Sequence, residues 1–208
     1  MPYDPTADLR TQITTSLASS FRHLRPLPDV ESESDTYIDC LLLHSPLRTV
    51  EETIQGWGIL EEFVPSRIRS LGISNVSLPV LQAIVTAAKV KPTMVQNRFY
   101  PETRYDVPLR KFCQENGIVY QSFWTLTGNP KLLRCPAVID LTKAVGVSKE
   151  IALYSLVMGL DIAVLNGTTS KGNMEADLEG VALVQKWRDE NAKNWNELIR
   201  DFEATLSA

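Results

Sequence analysis

Five short apolar runs in this chain each end in side chains able to hydrogen-bond, move a proton or stack: CLLLHSP at Cys40–Pro46, SLGISN at Ser70–Asn75, TMVQN at Thr93–Asn97, IVYQSFW at Ile118–Trp124 and IAVLNGTTS at Ile162–Ser170. Catalytic groups of parallel barrels occupy the carboxyl ends of the strands, so this is the pattern of an active-site rim. Taken singly, each residue also has a plainer reading. His44 fits a satisfied core histidine, Ser74 and Asn75 fit the cap of a helix beginning near Leu78, and Gln96 with Asn97 fits the start of a turn.

These side chains need elements to hold them. Leu9, Ile13, Leu17 and Phe21 recur four apart, which predicts an amphipathic helix from Ala7 to about Leu24. The acidic stretch DVESESD over Asp29–Asp35 reads as a surface loop. Tyr37–His44, with its unbroken apolar run over Cys40–Leu43, reads as a buried strand and not as an alternating one. Thr49 with Glu52 makes a capping box ahead of a helix through Ile54, Trp57 and Leu60. Further strands are expected at Ser70–Ser74, Thr93–Asn97, Ile118–Ser122 and Ile162–Asn166. Helices are expected at Leu78–Lys89, Val107–Asn116, Ala137–Val145, Ser148–Leu160, Met174–Asp189 and Trp195–Leu206. Strand and helix in alternation imply right-handed crossovers and a parallel sheet. The predicted fold is therefore α/β: a partial (β/α)8 barrel of the TIM type, with about five parallel strands and flanking helices in a single domain over residues 1–208. Phe123 and Trp124 are neighbours on a strand and face opposite sides, and Phe123 is assigned to the pocket.

Composition narrows the partners. With 44% hydrophobic and 22% charged residues and a net charge of −4, the chain carries no basic stripe of the kind nucleic-acid binding requires. No apolar window approaches the roughly 18 residues of a membrane span, and the start MPYDPTADLR has charges where a signal peptide is apolar. A cytoplasmic protein off the membrane is expected. Cys40, Cys113 and Cys135 are too widely spaced for a zinc site or a disulfide framework and read as reduced thiols, so no metal is expected.

In this order and spacing, LLLHSP, GISN, KPTMVQNRFY, FCQENGIVYQSF and VLNGTTS resemble the aldo-keto reductases, NADP(H)-dependent carbonyl reductases built on a (β/α)8 barrel. The resemblance runs from about Leu9 to Leu178 and covers the family's fourth to eighth βα units. It implies reduction of a small-molecule aldehyde or ketone with NADP(H). His44 matches the histidine that hydrogen-bonds the substrate carbonyl oxygen, a task an imidazole N–H performs on a developing oxyanion. Ser74, Asn75 and Gln96 match the side chains that bond the nicotinamide carboxamide. Phe123 falls where a tyrosine stacks on the nicotinamide, and a phenyl ring keeps the π-face needed there. Gly167, Thr168, Thr169 and Ser170 occupy the loop that binds the 2′-phosphate in relatives, without its lysine. Asn173 stands where an arginine often clamps that phosphate, so only Lys171 nearby supplies charge and weakened or shifted dinucleotide affinity is expected.

The family's strand-end aspartate, proton-donating tyrosine and lysine lie in the first three βα units, ahead of the position matching Leu9. The chain thus reads as an N-terminally shortened member with impaired or altered catalysis. Tyr100 or Tyr105, in the loop after Gln96, is the candidate substitute for the proton donor. Two other classes stay open: a non-redox enzyme using His44 as acid or base in a cyclisation, dehydration or isomerisation, and a non-catalytic pseudoenzyme. An incomplete barrel leaves open sheet edges, which a homodimer is expected to cover.

Overall fold

The computed structural model describes residues 3–24 and 36–207, so the acidic stretch at positions 29–35 lies outside the described residues. Helices and strands follow one another as α1 (Leu9–His23), β1 (Ile38–Leu43), α2 (Val50–Glu61), β2 (Ile68–Ser74), α3 (Leu78–Ala87), β3 (Met94–Arg98), α4 (Val107–Glu115), β4 (Val119–Phe123), α5 (Pro136–Val145), α6 (Lys149–Met158), β5 (Ile162–Val164), α7 (Lys171–Glu190) and α8 (Ala192–Ser207). The strands are parallel and their order follows the chain, β1-β2-β3-β4-β5. This is the α/β architecture the alternation predicts. The chain divides into two compact units, residues 1–96 with 112–118 and residues 97–111 with 119–208. No described helix is long and apolar enough to cross a membrane.

In the first unit Thr49 caps its helix as expected, while the Glu52 carboxylate, instead of closing the predicted capping box, accepts from Tyr3 and Arg48. The Thr49 side chain accepts from the Glu52 N–H at 3.1 Å and opens α2, and Asp8 caps α1 through the Thr11 N–H. Register places Cys40 beside Ser70, Leu43 beside Ile73 and Ser74 beside Gln96. β2 is the buried strand, with Leu71 and Ile73 fully enclosed. A side chain at Gly72 would meet the Leu42 side chain and put its Cβ 2.7 Å from the Met94 carbonyl oxygen, so β2 passes between its neighbours only as glycine. β1 is different: none of its six residues is buried. Trp57 is enclosed in α2, as its helical spacing predicts, and its indole N–H donates to the Val90 carbonyl at 2.9 Å.

In the second unit β4 and β5 pair through Tyr120 with Ile162 and Ser122 with Val164. β5 stops at Val164, short of the predicted Asn166: the Leu165 N–H still donates to the Ser122 carbonyl, and from Thr168 onward side-chain oxygens take over backbone donors. Asn166 Oδ1 accepts from the Thr168 N–H at 2.9 Å and turns the chain toward α7. α5, α6 and α8 pack on one another around Leu141, Leu153, Leu156 and Phe202. Gly146, at φ 80°, closes α5 in the left-handed conformation that glycine adopts without strain. Between β3 and α4 the chain makes a feature the periodicity does not announce: Arg104, Tyr105 and Asp106 all have φ of 51–52°. The Asp106 carboxylate anchors this left-handed turn by accepting from Asn97 Nδ2 at 2.8 Å and the Tyr120 hydroxyl at 2.9 Å, while Arg110 Nε donates to the Tyr105 carbonyl.

Candidate functional site

At the carboxyl ends of β1, β2 and β3 the structure joins four of the predicted residues through one hydrogen-bond network. The buried Ser74 hydroxyl donates to the Gln96 carbonyl oxygen at 2.7 Å. Asn75, held at φ 54°, donates its side-chain amide to the His44 carbonyl at 2.9 Å and to Ser74 Oγ at 3.1 Å, and its backbone N–H to the Gln96 carbonyl. The amide orientation follows from its partners, since a carbonyl oxygen can only accept. Both N–H groups of Asn75 and the Ser74 proton are thereby committed within the protein. What this pair turns outward is acceptor capacity, chiefly Asn75 Oδ1. His44 follows β1, is exposed, and its ring forms no hydrogen bond among the described residues. It presents an uncommitted imidazole at a strand end.

In the second unit, Phe123 ends β4 half-buried, and Trp124 takes φ 58° with 53% of its surface exposed. Their rings meet edge to face with centroids 6.3 Å apart. The Phe99 N–H donates to the Phe123 carbonyl, and Asn129 Nδ2 donates to the carbonyls of Phe99 at 2.6 Å and Thr125 at 3.0 Å, so both strand ends are pinned by one buried amide. Of the two loop tyrosines, Tyr105 is buried, and burial foremost, with Glu102 and Cys135 adding, pushes its phenol up. A sealed phenol that resists ionisation is poorly placed to give up a proton. Tyr100 is half-buried and keeps the access a donor requires.

Gly167 and Thr169 are exposed on the loop into α7, and Ser170 caps that helix by accepting the Asn173 N–H at 3.3 Å. Thr168 Oγ1 accepts from the Ser170 N–H at 3.2 Å and from Asn173 Nδ2 at 3.4 Å. The start of a twenty-residue helix attracts anions through its free N–H groups and dipole. Lys171 leans 3.6 Å from Glu175, and Asp177 accepts from Asn166, so no cation is dedicated to this loop. Among the described residues no cluster of His, Cys, Asp or Glu could hold a metal.

Two residues with unusual surroundings were not singled out by their spacing. Arg98, the last residue of β3, stacks its guanidinium 3.9 Å from the Trp124 ring centroid, with Tyr100 at 5.1 Å and Phe123 at 5.8 Å. Its Nε is buried without a partner, as is Asn129 Oδ1. The RFY triplet in Arg98–Tyr100 hints at cation and ring together, but Trp124 joins them only in the fold.

The aldo/keto reductase family profile matches residues 32–133. The chain is 31% identical over 96 residues to the NAD/NADP-dependent indole-3-acetaldehyde reductase of Schizosaccharomyces pombe, a match covering 44% of this chain and 34% of that protein. It is 26% identical over 164 residues to the 7-acetyl-epi-neemfruitin B aldo-keto reductase of Melia azedarach, covering 69% of this chain and 51% of the relative. Among solved structures, an aldo/keto reductase from Brucella melitensis superposes with a TM-score of 0.67 at 16% identity, covering 85% of this chain and 68% of that one. The chain spans about half the length, or less, of the curated relatives it matches.

Proposed function

Because the chain belongs to the aldo/keto reductase family, we propose that it binds NADP(H) and serves the reduction of a small-molecule aldehyde or ketone. The observation that carries this reading is the network at the ends of β1, β2 and β3. With the donors of Ser74 and Asn75 committed internally, the pair offers acceptors, which suit the N–H₂ of a nicotinamide carboxamide. Gln96 supplies a further side-chain amide beside them. The uncommitted His44 ring would donate to the carbonyl oxygen and stabilise the charge that develops on it. In the second unit, taken by itself, Phe123 offers a ring face of the kind that stacks on a nicotinamide in relatives, and the Gly167, Thr168, Thr169 and Ser170 loop at the start of α7 is suited to a phosphate through helix N–H groups. Bound NADPH would supply the hydride.

The family's aspartate, tyrosine and lysine match no position in this chain, and of the two loop tyrosines Tyr100 is the one with the access an acid requires. Carbonyl reduction by these 208 residues alone is expected to run slower by the ~10²- to 10⁴-fold that a positioned acid contributes. We place the protein in the cytoplasm, in keeping with three cysteines that form no disulfide, and treat it as one domain. We also propose a homodimer that covers β1, whose leucines at positions 41–43 are only half-buried.

Isothermal titration with NADPH and NADH tests the core of this reading. NADPH is expected to bind below millimolar concentration, with Gln96→Leu weakening it about tenfold through one lost amide contact. His44→Ala should leave that binding intact and lower carbonyl reduction by about 10²- to 10³-fold. Absence of binding by either dinucleotide at millimolar concentration overturns the proposal. Binding without any carbonyl turnover, together with loss of a different product in His44→Ala, would assign the site to a non-redox step.

A further inference from the structure

The sharpest feature outside the β1–β3 network is Arg98. Among the described residues, the arginines that are not fully exposed mostly have an oxygen partner: Arg67 donates to the Thr36 carbonyl, Arg110 to the Tyr105 carbonyl, and Arg188 pairs with Asp189. Arg98 has none. Its Nε is sealed and unpaired, while its two terminal nitrogens are neither sealed nor bonded to any described residue. A guanidinium stacked on a ring spends its π-face and keeps its in-plane N–H fork available. Three rings, those of Tyr100, Phe123 and Trp124, hold it this way without neutralising it.

Such an arrangement is costly unless something uses it. A buried donor without a partner is disfavoured, and an arginine at a strand end beside a 53% exposed tryptophan could have turned to water instead. The supporting shell is also fixed. Asn129 ties the Phe99 and Thr125 carbonyls, Phe99 N–H binds the Phe123 carbonyl, and Ser122 Oγ shares a hydrogen bond of 2.9 Å with Thr125 Oγ1. The cation and its rings therefore sit on strand ends braced by buried polar groups, the condition for a preorganised site.

We propose that the Arg98 fork, walled by Tyr100, Phe123 and Trp124, is a recognition site for the anionic oxygens of a small organic ligand, a carboxylate or a phosphate, whose adjoining planar portion packs on the exposed Trp124 ring. A carboxylate matches the fork with two parallel N–H···O bonds, and a phosphate presents the same edge. This site requires no hydride transfer and stands whether or not the reductase reading does.

The test is isothermal titration of the 208-residue chain, without dinucleotide, using sodium benzoylformate, its neutral methyl ester and inorganic pyrophosphate. Benzoylformate is expected to bind at least tenfold tighter than the ester. Arg98→Met should erase that difference by weakening benzoylformate about 10- to 100-fold while sparing the ester. Arg98→Lys, which keeps the charge and loses the fork, should fall between them. If pyrophosphate alone binds and Arg98→Met abolishes it, the site stands with phosphate as the source. Binding of all three probes unchanged in Arg98→Met, or no binding of either anion to the native chain, overturns it. Circular dichroism checks the fold, and if Arg98→Met does not fold, unchanged anion affinity in Arg98→Lys overturns the proposal instead.

Discussion

Asn75 ties two strand ends together while sitting in a conformation most residues avoid, and substitution separates these contributions. Its side-chain amide makes two hydrogen bonds, to His44 O and Ser74 Oγ. At a partly exposed site each contributes about 0.5–1 kcal/mol, so any residue without that amide loses about 1–2 kcal/mol. Asn75→Ala also places a Cβ-bearing residue with no local side-chain hydrogen bond at φ 54°, costing about 1–2 kcal/mol more. Asn75→Gly escapes this strain but gives the unfolded chain freedom worth about 0.5–1 kcal/mol. The expected order is wild type, then glycine, then alanine, with alanine below glycine by roughly 0.5–1 kcal/mol. Urea unfolding followed by far-ultraviolet circular dichroism measures both gaps. A glycine variant as stable as wild type would show that the two bonds contribute nothing, and an alanine variant equal to glycine would remove the strain argument.

Two further outcomes follow from surface features. Arg10 grips Glu62 with two bonds of 2.8 and 2.6 Å, and this holds the Glu62 carboxyl below the usual glutamate range. A lowered folded value means the contribution is present above the unfolded pKa and is lost as pH falls through the folded one. A carbon-detected NMR titration should find Glu62 back in the ordinary range in Arg10→Met, and an unchanged midpoint would refute the pairing. For the proposed dimer, sedimentation velocity should show a particle of twice the chain mass, whereas a stable folded monomer at tens of micromolar would rule it out.

The alternation of elements was legible because each strand here is a local run and each helix carries local stop and start signals. Thr49 caps α2 through its own neighbour, and Gly146 closes α5 where the periodic apolar positions end. The placement of His44, Ser74, Asn75 and Gln96 at strand ends was legible for the same reason, as polar residues closing apolar runs. What escaped depends on distant partners. Arg104 and Tyr105 have no intrinsic taste for positive φ, and only Asp106 is of a type that tolerates it. The turn is held through Asp106, which accepts from Asn97 and Tyr120, and through the Tyr105 carbonyl, which accepts from Arg110, so tertiary contacts outrank local preference. Arg98 looked like an ordinary strand residue until Trp124, twenty-six positions later, came to lie under it. β5 was overextended because Leu165 continues the apolar run while Asn166 and Thr168 divert the backbone.

The exposed Trp124 also gives the second unit a voice of its own. Trp57 and Trp195 are at most 8% exposed and Trp187 is half-buried, so collisional quenchers in solvent reach the Trp124 indole first. Water around the ring is expected to shift its emission to the red of the core tryptophans, and Arg98 is the cation stacked on it among the described residues. Whatever displaces or covers the Arg98 guanidinium changes that one signal, without a label and without disturbing the strands that carry it.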